Sequence, residues 1–136
     1  MSTVGLGTYL GAPTDEDDFD LYIATKHLLN SGAVNVIDTA ANYRCQKSER
    51  TIGQALKYAN VERDEIFVST KAGYIPDDAD NGIPATTLIQ DLKDQNLITD
   101  DDIAGGIHCM HPNFLEHQLQ ASKKNLGLNT IDLVYL

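Results

Sequence analysis

Two stretches of the sequence repeat one plan, an apolar strand that ends on ionisable residues. Residues 36–43 read VIDTAANY, and residues 67–71 read FVSTK after an interval with helical spacing. Short runs of branched and aromatic residues predict strands, and a helix between them favours a parallel α/β sheet. In such a sheet the carboxyl ends of the strands converge on the edge where active sites are built. We therefore expect Asp38, Tyr43 and Lys71 to meet there.

These three residue types together suit a proton donor that is tuned by its neighbours. A free phenol ionises near pH ~10, and a neighbouring ammonium stabilises the phenolate. Lys71 would tune Tyr43 in this way, and the Asp38 carboxylate would hold Lys71 in place and keep it charged. Such a phenol can protonate a carbonyl oxygen while a nicotinamide delivers hydride to the carbon. The trio predicts general acid/base catalysis in carbonyl reduction.

The rest of the chain continues the alternation of strands and helices. A complete (β/α)8 barrel takes about 250 residues, whereas this chain has 136. The prediction is an α/β fold with about four parallel strands, the N-terminal half of a TIM-type barrel. The predicted elements are a glycine-rich strand at 4–10, a helix from Asp15 that ends before Gly32, a strand at 34–38, a helix with Ser48 at its N-cap, a strand at 66–71, a helix from Pro112 to Gly127 and a strand at 130–136.

Residues 75–104 interrupt this alternation. The opening of this segment is rich in Asp, Gly, Asn and Pro, which predicts a surface loop. Leu88 and Leu92 then have helical spacing within 86–97, which predicts a short amphipathic helix. An insertion after a strand end lies on the expected active-site edge, where it is either a lid or substrate-selecting wall or an ordinary surface excursion. We interpret 1–136 as one partial domain that contains this insertion.

Two further groups of residues have a functional and a structural interpretation. His108, Cys109 and His111 resemble a ligand cluster, but they lack paired Cys-x-x-Cys spacing, so we predict no metal site and favour a place on the substrate rim. Arg44 and Lys47 either contact phosphate or substrate or are solvated loop charges.

Composition narrows the possible partners and the location. The chain has 20 acidic against 10 basic residues, a net charge of -10, which argues against nucleic acid and anionic membranes as partners. No run approaches the ~18 apolar residues of a membrane span, and no leader precedes Val4. Cys45 and Cys109 do not form a disulfide framework. We expect a soluble, cytoplasmic protein.

Several motifs follow one another in an order that is specific to one family. They are GLGT at 5–8, DTAANY at 38–43 with SE at 48–49 and IGQAL at 52–56, VSTK at 68–71, and NLGL at 125–128 with IDL at 131–133. Together they resemble the aldo-keto reductase family from about Val4 to the last residue.

The resemblance implies an NADPH-dependent enzyme, with NADH possible, that reduces an aldehyde, ketone or sugar or runs the reverse reaction. The family's tetrad is Asp, Tyr, Lys and His, and the first three roles fall to Asp38, Tyr43 and Lys71. The histidine would directly follow the strand that ends at 136, so we expect this chain alone to be catalytically incomplete. The resemblance also implies that Gly7, Thr8 and Tyr9, with Asp38, contact the nicotinamide half of the cofactor.

Other classes of function stay open beside the oxidoreductase. The second hypothesis is a regulatory or interaction protein on the same scaffold that has no catalytic activity. It is favoured if the protein lacks the family's histidine and the second half of the barrel, which in the family holds most of the cofactor. An unrelated barrel enzyme with Lys71 as a Schiff-base amine is the third hypothesis, which borohydride trapping would test. A half-barrel also leaves a strand edge and its inner face uncovered, so we expect self-association through the open edge.

Overall fold

The computed structural model describes all 136 residues. They form a parallel sheet with helices on one of its sides. None of the helices has both the length and the apolar composition needed to cross a membrane. The helices are α1 (Asp15–Asn30), α2 (Lys47–Tyr58), α3 (Ala85–Asp94) and α4 (Pro112–Leu126); the strands are β1 (Leu6–Gly7), β2 (Val36–Asp38), β3 (Phe67–Lys71), β4 (Ile103–Ala104), β5 (His108–Cys109) and β6 (Leu133–Tyr135).

The main sheet has the order β1-β2-β3-β6, and every neighbouring pair is parallel. Its register places Asp38 beside Ser69 and Lys71 beside Tyr135. Each crossover between neighbouring strands includes a helix, as parallel pairing requires. The predicted α/β half-barrel with four parallel strands is therefore confirmed, although β1 and β6 are shorter than the predicted runs.

The main hydrophobic core lies between this sheet and the helices. Successive strand residues point to opposite faces, so Ile37 and Val68 face the helices while Asp38 and Lys71 face what would be the barrel interior. The buried members of this core are Leu29, Ile37, Ile52, Ile66, Val68 and Leu126.

Helix ends follow local signals, with one error in our predictions. Gly127 ends α4 in the left-handed conformation (φ 65°), as predicted. The predicted N-cap Ser48 is wrong, because α2 begins at Lys47 after a left-handed Gln46, and the Ser48 hydroxyl instead donates to the Thr8 carbonyl (2.9 Å). At α1 the cap is Thr14, whose hydroxyl accepts the Asp17 amide.

The inserted segment 75–104 is folded on a second small core. Its buried Ile75 and Leu92 pack with Phe114 of α4, and β4 pairs antiparallel with β5. Gln118 of α4 secures the root of the segment, since its side chain accepts the Gly73 amide (2.7 Å) and donates to the Tyr74 carbonyl (2.6 Å). The segment therefore consists of a loop, the helix α3 and the strand β4, which forms a two-stranded ribbon with β5 just beyond the segment.

The outer strand β6 leaves apolar side chains uncovered, with Leu133 37% and Tyr135 51% exposed. An open strand edge beside apolar residues is a template for pairing with another chain. We therefore expect residues 1–136, produced alone, to self-associate, and we expect Leu133→Lys to weaken that association by placing a charge at the edge. Sedimentation velocity over a concentration series measures this. A monomer that melts cooperatively at every concentration would contradict it.

Candidate active site

The ends of β2 and β3 place a lysine and a carboxylate in direct contact. Lys71 Nζ donates to Asp38 Oδ2 at 2.7 Å and to the Thr39 carbonyl at 2.9 Å. The other oxygen of Asp38 accepts the Ser69 hydroxyl at 2.8 Å. With both carboxylate oxygens engaged, Asp38 has a defined orientation and holds Lys71 at the sheet edge.

Tyr43 reaches the same place from the loop between β2 and α2. Its ring centroid lies 4.6 Å from Lys71 Nζ, within the range of a cation–π contact. The structure thus brings Asp38, Tyr43 and Lys71 into one cluster at the carboxyl edge of the sheet.

The charge of Lys71 is favoured by its neighbours. Partial burial by itself lowers the pKa of Lys71, but hydrogen bonding with Asp38 and Tyr43 and the charge of Asp38 outweigh burial. The pKa of Lys71 is consequently raised, and its side chain is an ammonium at neutral pH. The cluster therefore presents a permanent positive charge beside a phenol.

The end of β1 forms the adjoining wall of the cluster. Gly7 is exposed, and a Cβ built there meets nothing within 4 Å. Thr8 is buried, and its hydroxyl donates to Thr39 Oγ1 (2.9 Å) while its amide donates to the Asp38 carbonyl (3.1 Å). Tyr9 is 68% exposed and packs edge-on against Tyr43, with centroids 5.1 Å apart. Gly7 and Tyr9 thus offer exposed surface to a ligand. Thr8 lies between them in sequence, and its hydrogen bonds attach this end of β1 to Asp38 and Thr39.

A sequence profile described as the Aldo/keto reductase family matches residues 3–136. The chain belongs to the aldo/keto reductase family. The relatives that it matches are oxidoreductases by name, and structural neighbours share its barrel fold.

Three relatives define the extent of the match. The chain is 28% identical over 137 residues to the NADH-specific methylglyoxal reductase of Escherichia coli, covering 98% of this chain and 37% of that protein. It is 43% identical over 68 residues to the glycerol 2-dehydrogenase (NADP(+)) of Saccharomyces cerevisiae, covering 50% and 19%. The crystal structure of the aldo-keto reductase MGS-M4 from a Medee basin deep-sea metagenome library superposes with a TM-score of 0.55 and 29% identity, covering 98% and 34%. The chain spans little more than a third of the length of the Escherichia coli reductase and of MGS-M4.

Ser69 is the residue beside Asp38 and Lys71 that the sequence interpretation missed. It lies two residues before Lys71 on β3, and alternation along a strand places both side chains on one face. Since β2 and β3 are neighbours, that alternation was the signal that could have placed Ser69 beside Asp38. On the opposite face Thr70 donates to the buried Glu49 carboxylate at 2.6 Å, which connects β3 to α2.

Both interpretations of Arg44 and Lys47 are wrong, because neither side chain is solvated or free to bind phosphate. Arg44 is 6% exposed and pairs with Asp18 of α1. Lys47 is 7% exposed and pairs with Asp18 and Asp80, each at 2.7 Å. These two cations join α1, the loop after Tyr43 and the inserted segment.

The suspected ligand cluster is divided among separate structural roles. Cys109 is buried in the core of the inserted segment, and His108 packs edge-on against Tyr74 at 5.1 Å. His111 caps α4, since its Nδ1 accepts the Asn113 amide at 3.2 Å. No group of three or more His, Cys, Asp or Glu side chains has the arrangement of a metal site.

A cavity of about 660 Å³ lies apart from the Asp38–Tyr43–Lys71 cluster. It is bounded by α2, α4 and residues 76–81, on the helical side of the sheet, and polar and charged residues form most of its boundary. The cluster itself lies on an open surface at the sheet edge, the position where chemistry is assembled in barrels of this type.

Acid should weaken the ion pairs that bind the inserted segment to α2. Arg50 donates to both oxygens of Asp78 (2.7 Å each), and this hydrogen bonding holds the pKa of Asp78 far below its usual value. Because that pKa is lower in the folded state, the pairing stabilises the fold above about pH 4 and its contribution is lost as the pH falls further. We expect Asp78→Asn to flatten the acid decline of the free energy of unfolding, measured by urea denaturation. Asp100→Asn, at an 83% exposed carboxylate paired with Lys93, is the control.

If Asp78→Asn and wild type lose stability in parallel below about pH 4, the Arg50 pairing does not govern acid stability.

Proposed function

We propose that this chain carries the acid/base residues of a nicotinamide-dependent carbonyl oxidoreductase. The observation that carries the proposal is the Lys71 ammonium, held between the Asp38 carboxylate and the Tyr43 ring at the carboxyl edge of a parallel sheet. The substrate class is a small aldehyde, ketone or sugar, and the reverse oxidation of an alcohol uses the same groups.

The three residues have distinct roles in the acid/base chemistry of this proposal. A bound nicotinamide supplies hydride to the carbonyl carbon. Tyr43 donates its phenolic proton to the carbonyl oxygen, which becomes the alcohol. Lys71 stabilises the phenolate that remains, and Asp38 keeps Lys71 charged and in place. In the reverse direction, the phenolate accepts the proton of the alcohol.

The end of β1 supports the proposed cofactor site. Gly7 has no side chain to obstruct a flat ring, Tyr9 offers an exposed aromatic surface, and Thr8 holds β1 against Asp38. We propose NADPH as the cofactor, which matches the yeast glycerol 2-dehydrogenase (NADP(+)). NADH is the alternative, since the Escherichia coli relative is NADH-specific.

The cysteines support a reducing compartment, which we propose is the cytosol. Cys45 and Cys109 are both free. Partial burial, helped by the charge of Asp77, raises the pKa of Cys45, so its thiol stays protonated and unreactive.

The Schiff-base alternative is disfavoured by the same geometry. An attacking amine must be neutral, whereas hydrogen bonding with Asp38 keeps Lys71 protonated. Borohydride added with a carbonyl substrate should leave Lys71 unmodified, and covalent trapping at Lys71 would favour the alternative.

Cofactor titration tests the proposal without knowledge of the substrate. NADPH and NADH are titrated, by nicotinamide fluorescence, into residues 1–136 and into the gene product that contains them. We expect saturable binding that Asp38→Asn weakens and that Asp20→Asn, the same change at an exposed position of α1, does not. Turnover is then followed with methylglyoxal, short aldehydes and sugars. A gene product that binds neither dinucleotide, or binds without any hydride transfer, would favour a non-catalytic relative.

A further inference from the structure

We propose that Arg44 is a positioning residue, which orients Tyr43 by anchoring residues 9–14, the arch between β1 and α1. The inference rests on the proposed function, because Tyr43 is the proton donor whose orientation matters. The charge of Arg44 is neutralised inside the protein by Asp18, and Arg44 does not contact the sheet edge.

The backbone after Tyr43 makes an unusual turn. Arg44, Cys45 and Gln46 have φ angles of 51°, 55° and 74°, a left-handed run of residues with side chains. Residues other than glycine rarely adopt this conformation, so surrounding contacts must hold it. The turn separates the Tyr43 ring, which faces Lys71, from the Arg44 side chain, which is almost wholly buried.

The Arg44 guanidinium holds one end of the arch. Its Nε donates to the Ala12 carbonyl at 2.9 Å, and its Nη2 donates to the Thr14 carbonyl at 3.3 Å. The same Nη2 pairs with Asp18 in the first turn of α1. Two main-chain carbonyls and one carboxylate therefore fix the arch to the residue that follows the proton donor.

The other end of the arch is held near the same loop. The Thr8 carbonyl accepts the Ser48 hydroxyl at 2.9 Å, and the Thr8 amide is bonded to β2. Between these anchors the exposed Tyr9 makes its edge-on contact with Tyr43. Gly11 completes the bend at φ 102°, where a Cβ would come within 3.5 Å of Arg44 Nε.

The consequence is a coupling between Arg44 and the phenol that passes through Tyr9. The edge-on contact with the Tyr9 ring limits the tilt of the Tyr43 ring. Arg44 determines the position of Tyr9, because it anchors the arch that carries Tyr9. A proton donor displaced by about 1 Å can lose up to ~100-fold in rate. We expect Arg44→Met to lower kcat by roughly 10- to 100-fold, with a smaller change in KM.

Lys47 offers a matched control for this effect. It is buried to nearly the same degree as Arg44 and shares the partner Asp18, but its other contacts are Asp15 and Asp80, outside the arch. Lys47→Met should lower thermal stability as Arg44→Met does while keeping kcat. Arg44→Lys replaces Arg44→Met in the experiment if Arg44→Met does not fold. It retains a cation that can pair with Asp18 but loses the planar guanidinium that donates to the two carbonyls of the arch.

The kinetic test is a double-mutant cycle in the gene product that contains this chain. Arg44→Met and Tyr9→Ala should be non-additive in kcat, because both act by releasing the Tyr43 ring. If Arg44 had only a structural role, Arg44→Met would lower stability and leave kcat unchanged, both in wild type and in Tyr9→Ala.

A second readout does not depend on turnover. In protein labelled with ¹³C at its tyrosine rings, the edge-on contact shifts the Tyr9 and Tyr43 signals, which Tyr9→Phe and Tyr43→Phe assign. Arg44→Met should move both signals, and Lys47→Met should move neither. Unmoved ring signals in Arg44→Met, or the same shifts in Lys47→Met, would overturn the proposal. If wild type shows no hydride transfer, the proposed function fails, and the ring signals alone decide whether Arg44 positions Tyr43.

Discussion

Tyr43→Phe is expected to lower kcat for carbonyl reduction by about 10²- to 10⁴-fold, the range for loss of a general acid. The substitution removes only the hydroxyl, while the ring that packs against Tyr9 and faces Lys71 remains. Cofactor affinity should therefore change little, and the loss should appear in the chemical step. Dinucleotide titration and steady-state rates, measured on the same preparation of the gene product, separate the two effects.

Tyr74→Phe is the matched control for this experiment. Tyr74 is also half-buried and also makes an edge-on aromatic contact, with His108 at 5.1 Å, but it lies at the root of the inserted segment. It should retain the wild-type rate. If Tyr43→Phe retained the wild-type rate as well, the proton would have to come from another group, and the assignment of Tyr43 as the acid would be wrong.

The second large effect is on stability, and it is expected at Gly53. Helices α2 and α4 cross at this residue so closely that a Cβ would lie 2.4 Å from the Asn125 carbonyl oxygen and 2.9 Å from that of Leu126. Both atoms belong to the main chain of α4, so no side-chain rotation can relieve the contact. We expect Gly53→Ala to lower the free energy of unfolding by about 1–3 kcal/mol, the usual cost of overpacking, although alanine favours a helix.

Urea denaturation measures this loss, with Gly7→Ala as the control. The chemical change is the same, but a Cβ at Gly7 meets nothing within 4 Å. A displaced α4 should also disturb Glu49, which accepts from Asn125 of α4 (3.0 Å) and from Thr70 of β3. Equal stability of Gly53→Ala and wild type would mean that the helices separate without cost.

Local patterns predicted the elements best where one feature dominates. The α4 helix has a proline at its first position and a left-handed glycine after its last, and it begins and ends as predicted. The α2 helix begins one residue before the predicted cap, because a left-handed turn held by distant contacts replaces the side-chain cap. The predicted helix at 86–97 ends early, at Asp94, and is followed by a left-handed Asn96.

The sequence by itself determined the sheet and the meeting of Asp38 with Lys71. Strand periodicity is local, and parallel strands joined by helices bring their carboxyl ends to one edge whatever the details of packing. This is why strand pattern alone is enough to place together two residues that lie 33 positions apart.

Only the tertiary structure decided the partners of the charged residues around this edge. Arg44 and Lys47 have long, flexible side chains, and the chain contains 20 acidic residues that could pair with them. The choice of Asp18 and Asp80 depends on where α1 and the inserted segment pack, and sequence spacing carries no information about that packing. The arch over Arg44 and the edge-on contact of Tyr9 with Tyr43 likewise arise only when the loops of β1 and β2 are folded side by side.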